Sequence, residues 1–151
     1  MWFVLNTKYY RASIIIEELK KLNLNTFHTN QISNMLFVEG EKKEIDNFIY
    51  YNQVGQKVGY MYSTITKMPL VIPEKEMKMF IIICQSEFPI ILTDRKNLKL
   101  GDRVRVIGGP FKGVEGHIVR IKKQKRVLVD LNVVAAETSY ILPELLEVIP
   151  S

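Results

Sequence analysis

Cysteine occurs once in this chain, at Cys84, and histidine twice, at His28 and His117. A single cysteine excludes an intrachain disulfide and any four-cysteine zinc site, and it suits a reducing compartment such as the cytoplasm. The two histidines lie far apart, with no cysteine or carboxylate at metal-ligand spacing, so neither a metal nor another cofactor is expected. Long apolar runs are also missing. The stretch around residues 80–84 falls far short of the roughly 20 residues that cross a bilayer. No basic segment precedes the short apolar Trp2-Phe3-Val4-Leu5, so a secretory leader is not expected either. Catalytic constellations are equally scarce. Gly108-Gly109-Pro110 opens no helix and lacks the lysine-hydroxyl ending of a phosphate loop. Neither histidine has a nucleophile at a readable spacing, and Cys84 falls on the apolar side of a predicted helix, where a thiol is inert. The expectation is a protein that binds rather than an enzyme.

What is present is globular. The chain has 151 residues, of which 47% are hydrophobic and 25% charged, enough for one ordinary domain or two small ones. Net charge is +5, spread as +2 over residues 1–85 (10 basic, 8 acidic) and +3 over residues 98–151 (9 basic, 6 acidic). This mild basicity is compatible with touching nucleic acid and too weak to imply tight phosphate binding alone.

The first segment alternates strands and helices. Residues 2–6 suit a buried strand. Ala12, Ile15, Ile16, Leu19 and Leu22 recur at the spacing of one helix face. Glu17 stands four residues before Lys21, the favourable order for a helical ion pair. Strands are expected over 26–31 and 34–38, the latter ending before Gly40. A second helix follows with Ile45, Phe48 and Ile49 as its stripe, and a strand over 60–66 comes next. Pro73 marks the first position of a third helix, with Glu74 and Glu76 where its dipole favours negative charge. Met77, Phe80, Ile81 and Cys84 form its apolar face. The order β-α-β-β-α-β-α suits a ferredoxin-like α/β sandwich over residues 1–85.

Residues 86–97 show no sustained period and read as a linker, although Ile90-Ile91-Leu92 is apolar for a free tether. From residue 98 the period becomes two. Val104 and Val106 alternate with arginines, and Val127, Val129 and Leu131 alternate with Leu128 and Asp130. Several short strands with no covering helix favour a small closed barrel over residues 98–151. The fold class expected is therefore α+β, a sandwich followed by a barrel.

The run Leu100-Gly101-Asp102-Arg103-Val104-Arg105-Val106-Ile107-Gly108-Gly109-Pro110-Phe111-Lys112-Gly113-Val114-Glu115-Gly116-His117-Ile118 resembles the KOW motif of ribosomal proteins and NusG-type transcription elongation factors. Gly108, Gly109 and Gly113 permit positive φ around Pro110, and Gly116 lets a strand bend at a barrel corner. Residues 2–5, Met35-Leu36-Phe37-Val38-Glu39 and Pro69-Leu70-Val71-Ile72-Pro73 resemble the N-terminal NGN domain of the same family. Pro73-Glu74-Lys75-Glu76-Met77 and Leu145-Leu146-Glu147-Val148-Ile149 look most like the UpxY-type branch, operon-specific antiterminators of capsular polysaccharide loci related in role to RfaH. Two positions depart from the family pattern. Ser33-Asn34 replaces the usual Pro-Gly before the central strand. Val134-Ala135-Ala136 replaces the aromatic and arginine that recruit a ribosomal protein or Rho in many members.

The resemblance implies an SH3-like barrel and a processive antiterminator that grips the clamp helices of the largest RNA polymerase subunit. The matching positions are Met35 and Phe37, neighboured by Phe48, Tyr50 and Tyr51. Phe37 and Phe48 equally suit a core. If Leu36 and Val38 are the core pair, strand alternation leaves Met35 and Phe37 for the partner. Lys8, Tyr9, Tyr10 and Arg11 are the implied contact to non-template DNA or leader RNA, cations flanking rings that can stack on unpaired bases. The same residues also suit a plain helix start. In the barrel, Lys122, Lys123, Lys125 and Arg126 form a basic hairpin, either solvated or in contact with RNA or a small-subunit ribosomal protein. Val133 and Val134 are the best-placed recruiting residues there. A monomer is expected. The alternatives are a general NusG-like elongation factor and an RNA- or ribosome-binding module, to which a protein-facing first domain of only +2 is less suited.

Overall fold

The computed structural model describes residues 1–7, 12–87, 91–93, 100–121, 124–131 and 134–150, and divides into two compact units, Met1–Glu74 and Lys75–Ser151. Each is described by itself.

In the first unit, strands β1 (Trp2–Asn6), β2 (Asn25–Phe27), β3 (Met35–Glu39) and β4 (Gly59–Tyr60) form an antiparallel sheet in the order β2-β3-β1-β4. A further short strand, β5 (Val71–Ile72), pairs with β1, so one more strand is present than the sequence pattern predicts. Helices α1 (Ala12–Lys21) and α2 (Lys42–Tyr51) pack on one face. Their Ile15, Leu19, Ile45 and Phe48 meet Phe3, Leu5, Leu36 and Val38 in a single apolar cluster closed by Val58 and Tyr60. Of the expected stripe of α1, Ile15 and Leu19 are buried, while Leu22 lies past the helix end and is exposed. Its Lys21 pairs with Glu18 at 2.8 Å.

Two strands are shorter than expected. After Phe27 the chain turns into a 3-10 turn, Asn30–Ile32, whose first residues are held by the Thr29 hydroxyl accepting from the Gln31 amide at 3.4 Å. Local side-chain capping of this kind competes with a ladder. Past Tyr60, residues 61–70 make a tight excursion instead of a long strand. Ser63 Oγ accepts from the amides of Ile65 and Thr66, and Lys67 has a φ of 62°.

In the second unit, β6 (Ile91–Thr93), β7 (Arg103–Val106), β8 (Glu115–Ile121), β9 (Gln124–Asp130), β10 (Ala135–Glu137) and β11 (Leu146–Val148) form one antiparallel sheet in the order β11-β7-β8-β9-β10-β6. Residues 91–93, within the stretch expected to be a linker, thus supply a strand that pairs with β10. Helix α3 (Glu74–Cys84) falls with this unit apart from its first residue. It begins one residue after Pro73 and buries Met77, Met79, Phe80 and Ile83, while Ile81 and Cys84 are only half-buried.

Gly109 and Gly113 have φ of 81° and 93°, the left-handed region their loop requires. Gly116 is needed for a different reason from the one its sequence suggests. A Cβ there would stand 2.1 Å from the Leu128 carbonyl oxygen, so the position is closed by the approach of β9.

Candidate functional site

The expected partner-binding positions lie around β3 and α2. Register places Met35 opposite Asn6, Phe37 opposite Val4 and Phe27, and Glu39 opposite Trp2 and Asn25, all on the sheet face turned away from the helical cluster. The middle of this face is apolar, and it is not free. Phe37 is 0% exposed, Trp2, Val4 and Ile72 are buried, and Met35 is half-buried. Phe37 sets its ring 6.3 Å from that of Phe27. Strand alternation gives one side of β3 to the core and the other to a partner; at Phe37 the structure overturns that expectation. Both sides of the strand are covered at that position. The uninterrupted apolar triplet Leu36-Phe37-Val38 carries the signal, since a strand buried on both faces reads as a continuous run. Phe48 is likewise core, in the cluster beneath α2.

Tyr50 and Tyr51, at the end of α2, are exposed, at 62% and 80%. Nearby, the Tyr60 hydroxyl donates to Asp46 Oδ1 at 2.6 Å, and Lys42 Nζ meets Asp46 Oδ2 at 2.9 Å, tying α2 to β4. The Tyr60 hydrogen bond and then Lys42 hold the Asp46 carboxyl below the usual carboxylate range, while burial and the Asp46 charge push the Tyr60 phenol up. Tyr60 packs on Phe3 with centroids 5.6 Å apart and meets Tyr62 edge-on at 6.3 Å. Lys42 stands 6.0 Å over the Tyr60 ring. Tyr62, Ile65 and Met68 of the 61–70 excursion are also exposed. Of the aromatic group Phe48, Tyr50 and Tyr51 expected beside Met35 and Phe37, Phe48 is thus core and the two tyrosines are exposed, as is Tyr62. Tyr62 is not among the expected site residues, because the alternation over residues 60–66 reads as a strand and carries no signal of exposure. Between α2 and the segment that follows α1 lies a cavity of about 400 Å³ lined by Leu22, Leu24, Glu44, Asn47, Phe48, Tyr51 and Asn52.

Lys8, Tyr9, Tyr10 and Arg11, expected to face nucleic acid, lie outside the described residues, as do Lys122, Lys123 and Val133. Lys125 and Arg126 are half-buried. Arg126 donates to the Thr138 carbonyl at 3.3 Å and to Gln124 Oε1 at 3.4 Å, so its guanidinium is engaged within the sheet. Val134, expected to recruit a partner, is 4% exposed and accepts the Leu131 amide at its carbonyl. It belongs to the tight entry into β10 and is corrected from a contact to a core residue. The open apolar feature of this unit lies instead beside the loop around Pro110, a cavity of about 180 Å³ whose wall includes Pro110, Phe111, Tyr140, Leu142 and Leu145. Cys84 has its thiol pushed up to about 12 by burial, which makes it a poor nucleophile. Among the described residues no group of three or more His, Cys, Asp or Glu is placed to hold a metal, and no helix is long and apolar enough to cross a membrane.

Residues 100–130 match the KOW motif, and this segment spans β7, β8 and β9. One similar solved structure is described as the crystal structure of the MjSpt4:Spt5 complex in conformation A. It is 15% identical over 99% of this chain and 98% of that chain, with a TM-score of 0.35, too low to establish a shared fold. No curated protein sequence matches the chain. What the comparisons establish is a KOW motif within a chain of mixed α/β structure.

Proposed function

We propose that this chain is a NusG-type transcription elongation factor that acts by binding and not by chemistry. Its first unit grips the clamp helices of the largest RNA polymerase subunit. By favouring the closed clamp it promotes processive antitermination, and its branch is the UpxY type, acting on particular capsular polysaccharide operons as RfaH-like factors do on theirs. It works in the cytoplasm, as a monomer, without a cofactor. Residues 98–151, which contain the KOW-matching segment, form an SH3-like barrel that recruits a second partner, a small-subunit ribosomal protein or RNA. Residues 8–11 meet non-template DNA or leader RNA.

The observation that carries this reading is the KOW segment at 100–130, following a unit whose antiparallel strand order β4-β1-β3-β2 suits a ferredoxin-like sandwich. The apolar face bearing Trp2, Val4, Met35, Phe37 and Ile72 supports it as well. Since Phe37 is buried, a contact through its ring requires this face to open, and binding affinity is reduced by the rarity of that state. The exposed Tyr50 and Tyr51 need no such opening and form the first contact.

Retention on immobilised core RNA polymerase tests the proposal. Wild type is retained; the double variant Tyr50→Ala, Tyr51→Ala is retained on the order of tenfold less, and Met35→Glu less still. A wild-type chain that is not retained overturns the reading. Retention that survives both variants moves the contact elsewhere. Polymerase occupancy across the genome then separates a locus-restricted factor from a general one.

A further inference from the structure

Glu115 opens β8, yet it is 92% removed from solvent, an unusual place for an acid at a strand end. Its carboxylate is gripped from two elements. Lys75 Nζ, on the first turn of α3, stands 2.6 Å from Oε2, and Arg105 Nη2, on β7, stands 3.3 Å from Oε1. Arg105 continues to Glu147 on β11 at 3.4 Å. The backbone amide of Glu115 is engaged too, donating to Met79 Sδ at 3.1 Å. One turn of helix thus holds one residue of the sheet by both its side chain and its main chain. The neighbouring charges fit the same placement: Glu76 of α3 is influenced by Asp130 at the end of β9 and by Arg103 of β7.

Strand alternation puts Glu115 on the face that also carries Val119, Leu128 and Ala135, which form a small buried apolar cluster separate from the valines of the opposite face. We infer that α3 is a strap fastened to the six-stranded sheet, with Glu115 as the buckle between Lys75 and Arg105, so that the helix moves with the sheet and keeps this end of its face closed to other partners.

The direction of titration agrees. The hydrogen bond from Lys75, followed by Lys75 and Arg105 charge, holds the Glu115 carboxyl below its ordinary range against the opposing effect of burial. A carboxylate lowered in this way contributes stability above its unfolded pKa and loses it only as pH falls through the depressed value. The strap is therefore fastened at neutral pH and opens only in acid. The inference is independent of the proposed function, since it concerns which body carries the helix.

Amide hydrogen exchange on the full chain at neutral pH tests it, comparing wild type with Lys75→Met and Glu115→Gln. Residues 76–84 exchange about three- to tenfold faster in the variants, while β7, β8 and β9 keep their protection. Faster α3 exchange in either variant over an unchanged sheet upholds the strap. If both variants leave α3 as protected as wild type, the strap does not exist. Should Glu115→Gln loosen the whole sheet, Lys75→Met decides alone, because its side chain is largely exposed and its removal leaves no cavity. Accelerated α3 exchange in that variant then upholds the strap, and unchanged exchange overturns it.

Discussion

Three glycines separate backbone freedom from simple room. Gly113 sits at φ 93° with open space around a would-be Cβ. Gly116 has an ordinary φ, but a Cβ there would fall 2.1 Å from the Leu128 carbonyl oxygen. Gly59 has neither constraint. Strain in one residue costs about 1 kcal/mol, whereas a clash with backbone forces β9 away from β8 and breaks ladder hydrogen bonds. Gly113→Ala therefore lowers stability by about 1 kcal/mol, Gly116→Ala by at least about 2 kcal/mol, and Gly59→Ala scarcely at all. Urea unfolding of the three variants orders them, and equal effects at Gly113 and Gly116 would contradict the close approach. The Tyr60–Asp46 hydrogen bond gives a second residue-level prediction. Tyr60→Phe removes a charge-assisted partner of a shielded carboxylate at a cost of about 1–3 kcal/mol. Because that bond is the leading cause of the lowered Asp46 pKa, the acid titration of Asp46 also moves up towards the ordinary range, which NMR of its side-chain carbon reads directly.

At the scale of an element, β3 is the instructive case. A strand with one wet face tolerates truncation on that face, while a strand covered on both sides tolerates it on neither. Phe37→Ala is expected to cost about 3–5 kcal/mol and Leu36→Ala about 2–5 kcal/mol, comparable losses on opposite faces, measured by denaturant unfolding. A cost near zero for Phe37→Ala would restore the surface role that alternation first suggested. The pair shows why part of the site was legible in the sequence and part was not. Period three-to-four marked Ile15 and Leu19 of α1 correctly, because a helix stripe is set by the element itself. The exposure of Tyr50 and Tyr51 follows from their place at the end of a helix whose stripe is clear. Period two cannot say whether a second layer covers the other face, so Phe37 was assigned outward. Val134 differs for a related reason: it directly precedes a strand whose Ala135 and Ala136 are buried on both sides, and it is buried with them. β6 was read as linker because three residues carry no period of their own; their place depends on pairing with β10, a contact more than 40 positions distant.

Among the described residues, two pairs of acids are shifted in opposite directions. Asp46 and Glu115 have lowered pKa values, each through a hydrogen bond to a donor named above, and contribute stability that is present near neutrality and lost in acid. Glu76 and Glu137 are raised, chiefly by burial. Arg126 pulls Glu137 the other way, but burial wins, and among the described residues Glu137 Oε2 has no hydrogen-bond partner. For a carboxyl whose folded pKa lies above its unfolded one, the folded state binds the proton more readily. Ionisation then works against the fold at neutral pH, and the penalty disappears as pH falls towards the unfolded value. Replacing that carboxylate with its neutral isostere removes the penalty. Glu137→Gln is therefore expected to raise stability at neutral pH by about 1 kcal/mol, with the gain shrinking to nothing as wild type becomes protonated. Asp46→Asn shows the reverse, a loss at neutral pH that fades in acid. Urea unfolding of both variants across the acidic range distinguishes the two sets by the sign of their slopes. A Glu137→Gln chain less stable than wild type at neutral pH would mean that the carboxylate is bound where the fold leaves it bare.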